Sequence, residues 1–483
     1  MIGSMLLSRT LRLTIVSGSL VLAGVLAHGP ANAESLKDAL AATYRYNPQI
    51  DAERARLRGT DEEVARAMSG YRPIITGTAD ISRSYNKLRN TLGTDRSTTY
   101  PKGYGVTLSQ SIFNGFQTTN AVRESEAFVR AGRETLRAVE HQVLLDAVTA
   151  YMDVIRDQTI VKLRENNVNV LARELKAVQD RFAVGEVTRT DLAQSQARRA
   201  LAVSSLDAAR AQLKVSRASY ERVVGHPPNN LKEPTPNAPG LPKTLDEAVS
   251  AATQENPNNI AALYREQAAR HTVNRIRGEL LPQVDVTADY DRVYDRQESL
   301  DSREDSATVT GRVTVPIYEG GETRARIRQA KEQHVALLQE IEQFRTETQS
   351  IVTSVYAQML AARAQLLSDQ TQVEANRTAL AGVREEEKVG QRTLLDVLNA
   401  ELELLTSEVS LVTTRRNLVV LSYNVVASIG RLDALATGSV SEVYDPEVHY
   451  KDVRREWWST SITHGDGSSR DGWSTDVSRE PSK

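Results

Sequence analysis

The sequence contains no cysteine among its 483 residues. This excludes disulfides, thiolate metal sites, cysteine nucleophiles and a lipidated cysteine of the lipoprotein type. Aromatic residues make up only 5% of the chain, whereas 25% of the residues are charged. The net charge of −2 provides no overall basic field, so no nucleic-acid partner is expected. A chain so poor in aromatic residues is better suited to long alanine-rich helices than to a large enzyme core.

Long apolar runs are also missing after the first 33 residues, because no later stretch approaches the ~18 apolar residues of a membrane helix. Residues 1–33 are typical of a secretory signal. Arg9 and Arg12 precede a short apolar run, and Ala31-Asn32-Ala33 matches a cleavage site that leaves Glu34 first. The alternative, an uncleaved anchor, requires a longer run. The protein is therefore expected to leave the cytoplasm, and it can span a membrane only with strands.

The chain contains two copies of one plan, which indicates an internal duplication of about 200 residues, far longer than a solenoid repeat. The matched segments occur in the same order in both halves: Asn47-Pro48 with Asn256-Pro257, Thr78-Ala79-Asp80 with Thr287-Ala288-Asp289, Val184-Gly185 with Val389-Gly390, Asp191 with Asp396, and Gly225 with Gly430. We predict a first repeat at 34–226, a proline-rich linker at 227–243, a second repeat at 244–434 and a polar periplasmic tail at 435–483.

The distribution of proline predicts where long helices run. No proline occurs from Lys102 to His226 or from Ile317 to Asp445, and proline is the residue that helix interiors tolerate least. Each repeat is predicted to hold two short helices, two strands around a polar loop, and a long helix that breaks once at the Val-Gly turn. A helix over 117–183 would be about 100 Å long. Helices of this length favour coiled-coil packing.

Four segments alternate apolar and polar residues with the period of a half-exposed strand. The fourth places Val309 and Val313 on one face and Thr308 and Thr310 on the other. A soluble sandwich is one interpretation. The other is a membrane barrel, and because four strands cannot close a barrel, several subunits would have to share it. The segments at about 87–102 and 295–305 are predicted to be polar external loops.

The last long helix carries adjacent heptad rows, which impose a left-handed supercoil. The first row consists of Val397, Leu404, Leu411, Leu418 and Val425, and the second of Leu398, Leu405, Val412, Val419 and Val426. Apolar rows this wide allow a helix to pack on two neighbours at once, as in an α-barrel. An ordinary helical bundle satisfies the same pattern, so the heptad alone leaves both arrangements open.

Together, the signal, the duplication, the strand pairs and the paired tips resemble the TolC family of outer-membrane efflux proteins. The tips read Arg181-Phe182-Ala183-Val184-Gly185 followed by Thr190-Asp191, and Val389-Gly390-Gln391-Arg392 followed by Asp396. The resemblance covers about 34–434. It implies a mainly α fold with membrane β structure, in which a homotrimer forms a twelve-stranded β-barrel, four strands per subunit, continued by a long α-helical barrel.

The resemblance also implies partners and a location. The trimer would lie in outer-membrane lipid of a Gram-negative bacterium, with a large periplasmic part and no cofactor. A periplasmic adaptor protein would grip the helix tips at Val184, Gly185, Val389 and Gly390. An inner-membrane pump of the ABC or RND type would feed the duct, for type I protein secretion, multidrug efflux or both.

Gate residues follow from the same resemblance. Thr190 and Asp191 on the first tip and Arg392 on the second would latch the closed entrance, and Asp396 would form a ring of three carboxylates that favours cations. The sequence departs from the family at two positions. Glu387 stands where the best-known members have a tyrosine that links the tips, and Asn399 stands where they have a second aspartate that faces the pore. Helix N-capping is the structural alternative for Asp191 and Asp396, but we favour a pore or latch role.

Two other functions were weighed against the duct. A soluble periplasmic adaptor with helical hairpins would explain export and coiled coils, but it leaves the tandem hairpins and the strands unexplained. An enzyme is disfavoured, because the sequence shows no metal-ligand spacing, no G-x-S-x-G and no phosphate loop. The polar tail, which holds Trp457, Trp458 and Trp473, is interpreted as disordered or loosely bound.

Overall fold

The structure is a computed structural model that describes residues 33–91, 93–295, 302–435, 438–440, 443–463 and 469–470. The predicted signal at 1–33 therefore lies almost wholly outside the described residues, as does Trp473. In the part of the chain that the structure describes, no helix is both long enough and apolar enough to cross a membrane.

The two repeats have the same helices in the same order. The first contains α1 (Leu36–Tyr46), α2 (Pro48–Met68), α3 (Gln117–Ala183) and α4 (Arg189–Val224). The second contains α5 (Leu245–Glu255), α6 (Pro257–Gly278), α7 (Glu322–Lys388) and α8 (Leu394–Ile429). α3 and α7 both have 67 residues, and α4 and α8 both have 36. The predicted long helices and their breaks are confirmed, and the segment between the repeats, 227–243, contains no helix or strand.

Equivalent asparagines hold the short helices against the long ones. Asn47 caps α2 by accepting from the backbone N–H of Gln49, and its Nδ2 donates to the carbonyl of Val223 at 2.9 Å. Asn256 caps α6 in the same way, and its Nδ2 donates to the carbonyl of Ser428 at 2.8 Å. Each Asn-Pro pair therefore fixes the far end of a hairpin, at the last residues of α4 or α8, as well as starting a helix.

The largest buried cluster lies around the middle of α3, where α1 and the ends of α4 and α8 converge. Tyr151 and Tyr220 are fully buried there, with ring centroids 6.4 Å apart. The Tyr151 hydroxyl donates to the carbonyls of Glu34 and Lys232 at 2.9 and 2.6 Å. Glu34, just before α1, and the segment between the repeats are thus attached to α3 halfway along its length.

A four-stranded antiparallel sheet stands at one end of the helices. Its order is β1 (Ile74–Ile81), β4 (Lys102–Asn114), β5 (Gln283–Tyr294) and β6 (Arg303–Thr314), so both repeats contribute two strands. β4 leads directly into α3, and β1 follows α2. Within the described chain, β1 and β6 each pair on one side only.

The register gives the sheet one polar and one apolar face. Thr76, Thr107, Asp289 and Thr308 are aligned across all four strands, and the Thr107 hydroxyl donates to Asp289 at 2.8 Å. The adjacent row on the opposite face aligns the apolar residues Ile75, Leu108, Ala288 and Val309. Ile75 is 63% exposed and Val309 is 76% exposed, so no other part of the described chain covers this face.

Two sequence interpretations are corrected by the structure. The segment predicted as a polar loop at about 87–102 is mostly a second hairpin, β2 (Ser84–Asn90) paired with β3 (Gly93–Thr99). The tail is not loosely bound where it is described, because α9 (Pro446–Arg455) packs along α2. Beyond α9, a two-residue pairing joins β7 (Ile462–Thr463) to β8 (Ser469–Arg470).

Candidate gate at the helical hairpin tips

Each long helix ends in the same backbone turn. In the first tip the N–H of Gly185 donates to the carbonyl of Phe182, and the N–H of Glu186 donates to that of Arg181. This pair of bonds defines a Schellman motif, which requires a left-handed residue at its centre. Gly185 has φ of +84° and nothing within 4 Å of the position of a Cβ, so backbone conformation rather than space selects glycine.

The second tip repeats this geometry. The N–H of Gly390 donates to the carbonyl of Glu387, the N–H of Gln391 donates to that of Glu386, and Gly390 has φ of +77°. The residues before the two glycines, Val184 and Val389, are 72% and 70% exposed. The tips therefore present two equivalent apolar residues at the end of the molecule opposite the sheet.

A capping box starts the returning helix in each hairpin. The hydroxyl of Thr188 and that of Thr393 each accept from the N–H three residues later, at 3.2 and 3.3 Å. Asp191 and Asp396 reciprocate by accepting from the threonine N–H at 3.0 Å in both tips. The structure therefore shows these aspartates as capping residues, the alternative that we disfavoured from the sequence.

Capping also affects the charge of Asp396. The backbone N–H of Thr393 lowers the pKa of the Asp396 carboxyl, and the hydroxyl of Thr393 lowers it further. Asp396 is therefore ionised at neutral pH. The capping bonds use its Oδ2 oxygen, so capping and a negative charge at the tip are compatible.

Two arginines join the two hairpins near their tips. The Arg181 Nη1 lies 2.9 Å from the Glu387 Oε1, linking the last turns of α3 and α7. The Arg198 Nη2 donates to the Asn399 Oδ1 at 2.8 Å, linking α4 to α8. Glu387 and Asn399, the two positions that depart from the family pattern, are thus both in contact with an arginine of the other hairpin.

The predicted latch between Thr190 and Arg392 is not formed within one chain. Among the described residues, no hydrogen bond joins them, and Arg392 instead pairs with Glu386 of its own hairpin at 2.9 Å. Both side chains lie on the exposed surface of the tips.

An ion pair with a buried carboxylate lies further from the tips and was missed by sequence reasoning. Glu401 in α8 is only 5% exposed and accepts from the Arg384 Nη2 at 2.5 Å. Burial raises the pKa of Glu401, although Arg384 opposes this effect. Nearby, Leu171, Ala202 and Leu398 bring α3, α4 and α8 into one apolar cluster. The heptad predicts the position of Leu398 but gives no sign that a buried carboxylate follows it.

Two long helical hairpins joined to a sheet with one polar and one apolar face are the features expected of an outer-membrane channel protein. The chain belongs to the outer membrane efflux protein family, whose pattern it matches at residues 41–226 and again at 248–431. It is accordingly a subunit of an outer-membrane export channel and not an enzyme. The two matched segments fall one in each repeat.

Individual relatives agree with this assignment. The chain is 38% identical over 453 residues to the outer membrane efflux protein BepC of Brucella suis, covering 93% of this chain and 97% of BepC. It is 26% identical over 302 residues to the alkaline protease secretion protein AprF of Pseudomonas aeruginosa, covering 61% and 63% of the two chains. In fold it resembles the Campylobacter jejuni outer membrane channel CmeC, with a TM-score of 0.74, 15% identity, and coverage of 87% and 89%.

Proposed function

We propose that three copies of this chain form one duct through the outer membrane and across the periplasm. The observation that carries the proposal is the open sheet. Its edge strands β1 and β6 pair on one side only, and its apolar face is uncovered in a single copy. Neither feature is stable in lipid unless neighbouring copies pair the edges and close the barrel. Three sheets of four strands give a twelve-stranded barrel.

The hairpins continue the barrel as a tunnel. Each chain contributes α3 with α4 and α7 with α8, so three copies supply a ring of twelve helices. Of these, α3 and α7, with 67 residues each, are about 100 Å long. The names of the relatives combine efflux and protease secretion, which supports a passive exit used for small molecules, proteins or both. A pump of the ABC or RND type in the inner membrane would supply the driving force.

The tips are the docking end of the duct. Val184 and Val389 are exposed in two equivalent turns next to Gly185 and Gly390, so one adaptor fold can bind both tips of each subunit with the same contacts. The periplasmic adaptor is therefore assigned to this repeated apolar surface. Exposed apolar residues of this kind are expected at a partner surface rather than at a free helix end.

The closed gate is assigned to three sets of residues. Arg181–Glu387 and Arg198–Asn399 hold the hairpins of one subunit together. Thr190 and Arg392, which do not meet within one chain, are placed between neighbouring subunits. Asp396, kept ionised by its cap, would contribute a ring of three negative charges to the constriction.

The function is tested by isolating the full chain from outer membranes and adding it to planar lipid bilayers. We expect a trimer that dissociates only on heating, and small cation-selective channels. Replacing Asp396 by Ala should lower the cation selectivity. Asp207→Ala is the matched control, because Asp207 is an exposed carboxylate on α4 that lies far from the tip. Recovery of a soluble periplasmic monomer without channel activity would refute the duct and favour the soluble adaptor.

A further inference from the structure

The described part of the tail carries an exposed pair of tryptophans to the base of the sheet. α9 runs alongside α2, and Trp457 and Trp458 follow it immediately. The Arg72 Nη1 donates to the carbonyl of Glu456 at 3.0 Å, and its guanidinium lies 4.4 Å from the centre of the Trp457 ring. Arg72 lies two residues before Ile74, where β1 begins, so Trp457 contacts the chain next to the start of the first strand.

The contacts of Tyr71, next to Arg72, show where the tryptophan pair lies along the strand direction of the sheet. The carbonyl of Tyr71 accepts from the Gln110 Nε2 at 3.3 Å, and the Tyr71 hydroxyl donates to Thr119 at 2.8 Å. Gln110 lies four residues before the end of β4, and Thr119 lies in the first turn of α3. The tryptophans are therefore level with the junction between strands and helices.

The position of α9 is fixed by buried contacts and is not a chance placement of a tail. His449 and Asp61 are both buried, and the His449 Nδ1 lies 2.9 Å from the Asp61 Oδ2. Val453, on the same helix, is 2% exposed. In the first turn of α9, Glu447 lies 3.4 Å from Arg133 of α3. These contacts hold the residues that precede Trp457 against α2 and α3.

The tryptophans themselves are left uncovered. Trp457 is 62% exposed and Trp458 is 90% exposed. Other large apolar side chains at the same end of the sheet are also exposed: Tyr71 at 52%, Phe116 at 57%, Ile317 at 90% and Tyr318 at 78%. These six residues lie across the base of the sheet, from the β1 side to the β6 side.

From this placement we infer that Trp457 and Trp458 anchor the protein in the boundary between headgroups and acyl chains of the phospholipid leaflet that faces the periplasm. The inference rests on the proposed function, since it requires the sheet to span the outer membrane. Tryptophan prefers this boundary because its ring is apolar and its N–H remains hydrated. Arg454, on the last turn of α9, lies 3.7 Å from Glu126 and keeps its guanidinium about half exposed, so its charge suits the anionic headgroups of the same layer. The chain has no cysteine to carry a lipid, so the pair supplies a second attachment beside the barrel.

The test is fluorescence quenching of the full-length trimer in vesicles of brominated phosphatidylcholine. A Trp473→Phe background leaves only Trp457 and Trp458 as emitters. We expect bromines close to the headgroup to quench this emission at least about twofold more strongly than bromines deep in the acyl chain. With Trp458 changed to Phe as well, the remaining Trp457 emission should show the same preference for bromines close to the headgroup, since Trp457 is also exposed.

Two reporters, built with all three tryptophans changed to Phe, separate the anchor from the proposed function. Val309→Trp, on the apolar face of the sheet, should be quenched by lipid, and Val184→Trp, at the helix tip, should respond only to aqueous acrylamide. If lipid quenches the Val309→Trp reporter but not the native pair, the anchor is refuted and the duct stands. The anchor is refuted in that case whatever acrylamide does. Quenching of the native pair by acrylamide would place the pair on a free periplasmic surface, and absence of quenching would place it in a subunit interface. If neither is quenched by lipid, both the anchor and the duct are refuted.

Discussion

Arginine side chains make two polar contacts between the hairpins of one subunit near the tips, beside the apolar cluster of Leu171, Ala202 and Leu398. Arg181 reaches Glu387 across 206 residues of sequence, and Arg198 reaches Asn399 across 201. The resemblance to the family identified Glu387 and Asn399 as unusual. It did not predict which residues they contact, because contacts between residues so far apart in sequence depend on how the helices pack.

The first prediction concerns the Arg181–Glu387 pair. Arg181→Ala should raise the mean single-channel conductance in planar bilayers at low salt, because the closed arrangement loses one link per subunit. The pair is partly exposed, so each link contributes about 1 kcal/mol or less. High salt should reduce the difference between variant and wild type by screening the pair. Exchanging the two residues, Arg181→Glu with Glu387→Arg, should restore the low conductance.

Lys388→Ala provides the matched control for that prediction. Lys388 is adjacent to Glu387, but its partner Glu385, at 2.7 Å, belongs to the same helix. Its removal changes the tip charge without breaking a link between hairpins. An equal rise in conductance for Lys388→Ala and Arg181→Ala would show that charge, and not the link, controls the gate.

The second prediction concerns Glu140, which lies on α3 at 3.8 Å from Arg54. Burial raises the pKa of its carboxyl to about 7, and Arg54 only partly opposes this. Because the folded protein binds this proton more tightly than the unfolded chain, the contribution of Glu140 to stability falls as pH rises from about 4.5 to 7. Glu140→Gln should therefore gain stability relative to wild type between pH 5 and pH 8, by at most about 3 kcal/mol. Thermal unfolding curves that shift in parallel for both proteins would contradict this.

At the scale of elements, the ends of the long helices are encoded locally. A Schellman glycine ends α3 and α7, and a capping box starts α4 and α8. Since both motifs use residues within a few positions of each other, the sequence predicted these breaks and the 67-residue span of α3 correctly. The heptad likewise predicted that Leu398, Leu418 and Val425 are buried.

A third prediction follows from the tip backbone. Gly390→Ala should destabilise the turn by about 1 kcal/mol, because a Cβ disfavours the left-handed conformation although space is available. Hydrogen exchange of the amides at 386–396, followed by mass spectrometry, should then become roughly fivefold faster. Gly382→Ala within α7 is the control, since the same added methyl group there supports the helix. Equal exchange in both variants would show that the turn does not depend on glycine.

The β2–β3 hairpin and α9 were not predicted, and both depend on contacts that a local pattern does not show. β2 and β3 are polar along most of their length, so no alternation distinguishes them from a loop, and their pairing with each other supplies the structure. α9 is short and highly charged, and it is held by the buried His449–Asp61 pair and by Val453. Asp61 lies 388 residues from His449, and no local pattern connects the two.

At the scale of the whole molecule, duplication explains why a single copy is incomplete. Each repeat supplies two strands and one hairpin, and together they form an open sheet with an apolar face and two free edges. Going across the sheet from β1 to β6, the strands alternate in direction. β6 of one copy therefore runs antiparallel to β1 of the next, and the subunits can join without interrupting the pattern.

The measurement that tests this account most directly is disulfide cross-linking between subunits in the cysteine-free chain. Thr76→Cys on β1 is combined in turn with a cysteine at Thr308, Thr310 or Arg312 on the same polar face of β6. After oxidation in outer membranes, at least one combination should give covalent trimers on a denaturing gel. Thr107→Cys with Thr308→Cys is the control, because β5 separates these strands by about 10 Å, too far for a disulfide. Only monomers from all three combinations, in protein recovered from outer membranes, would contradict the shared barrel.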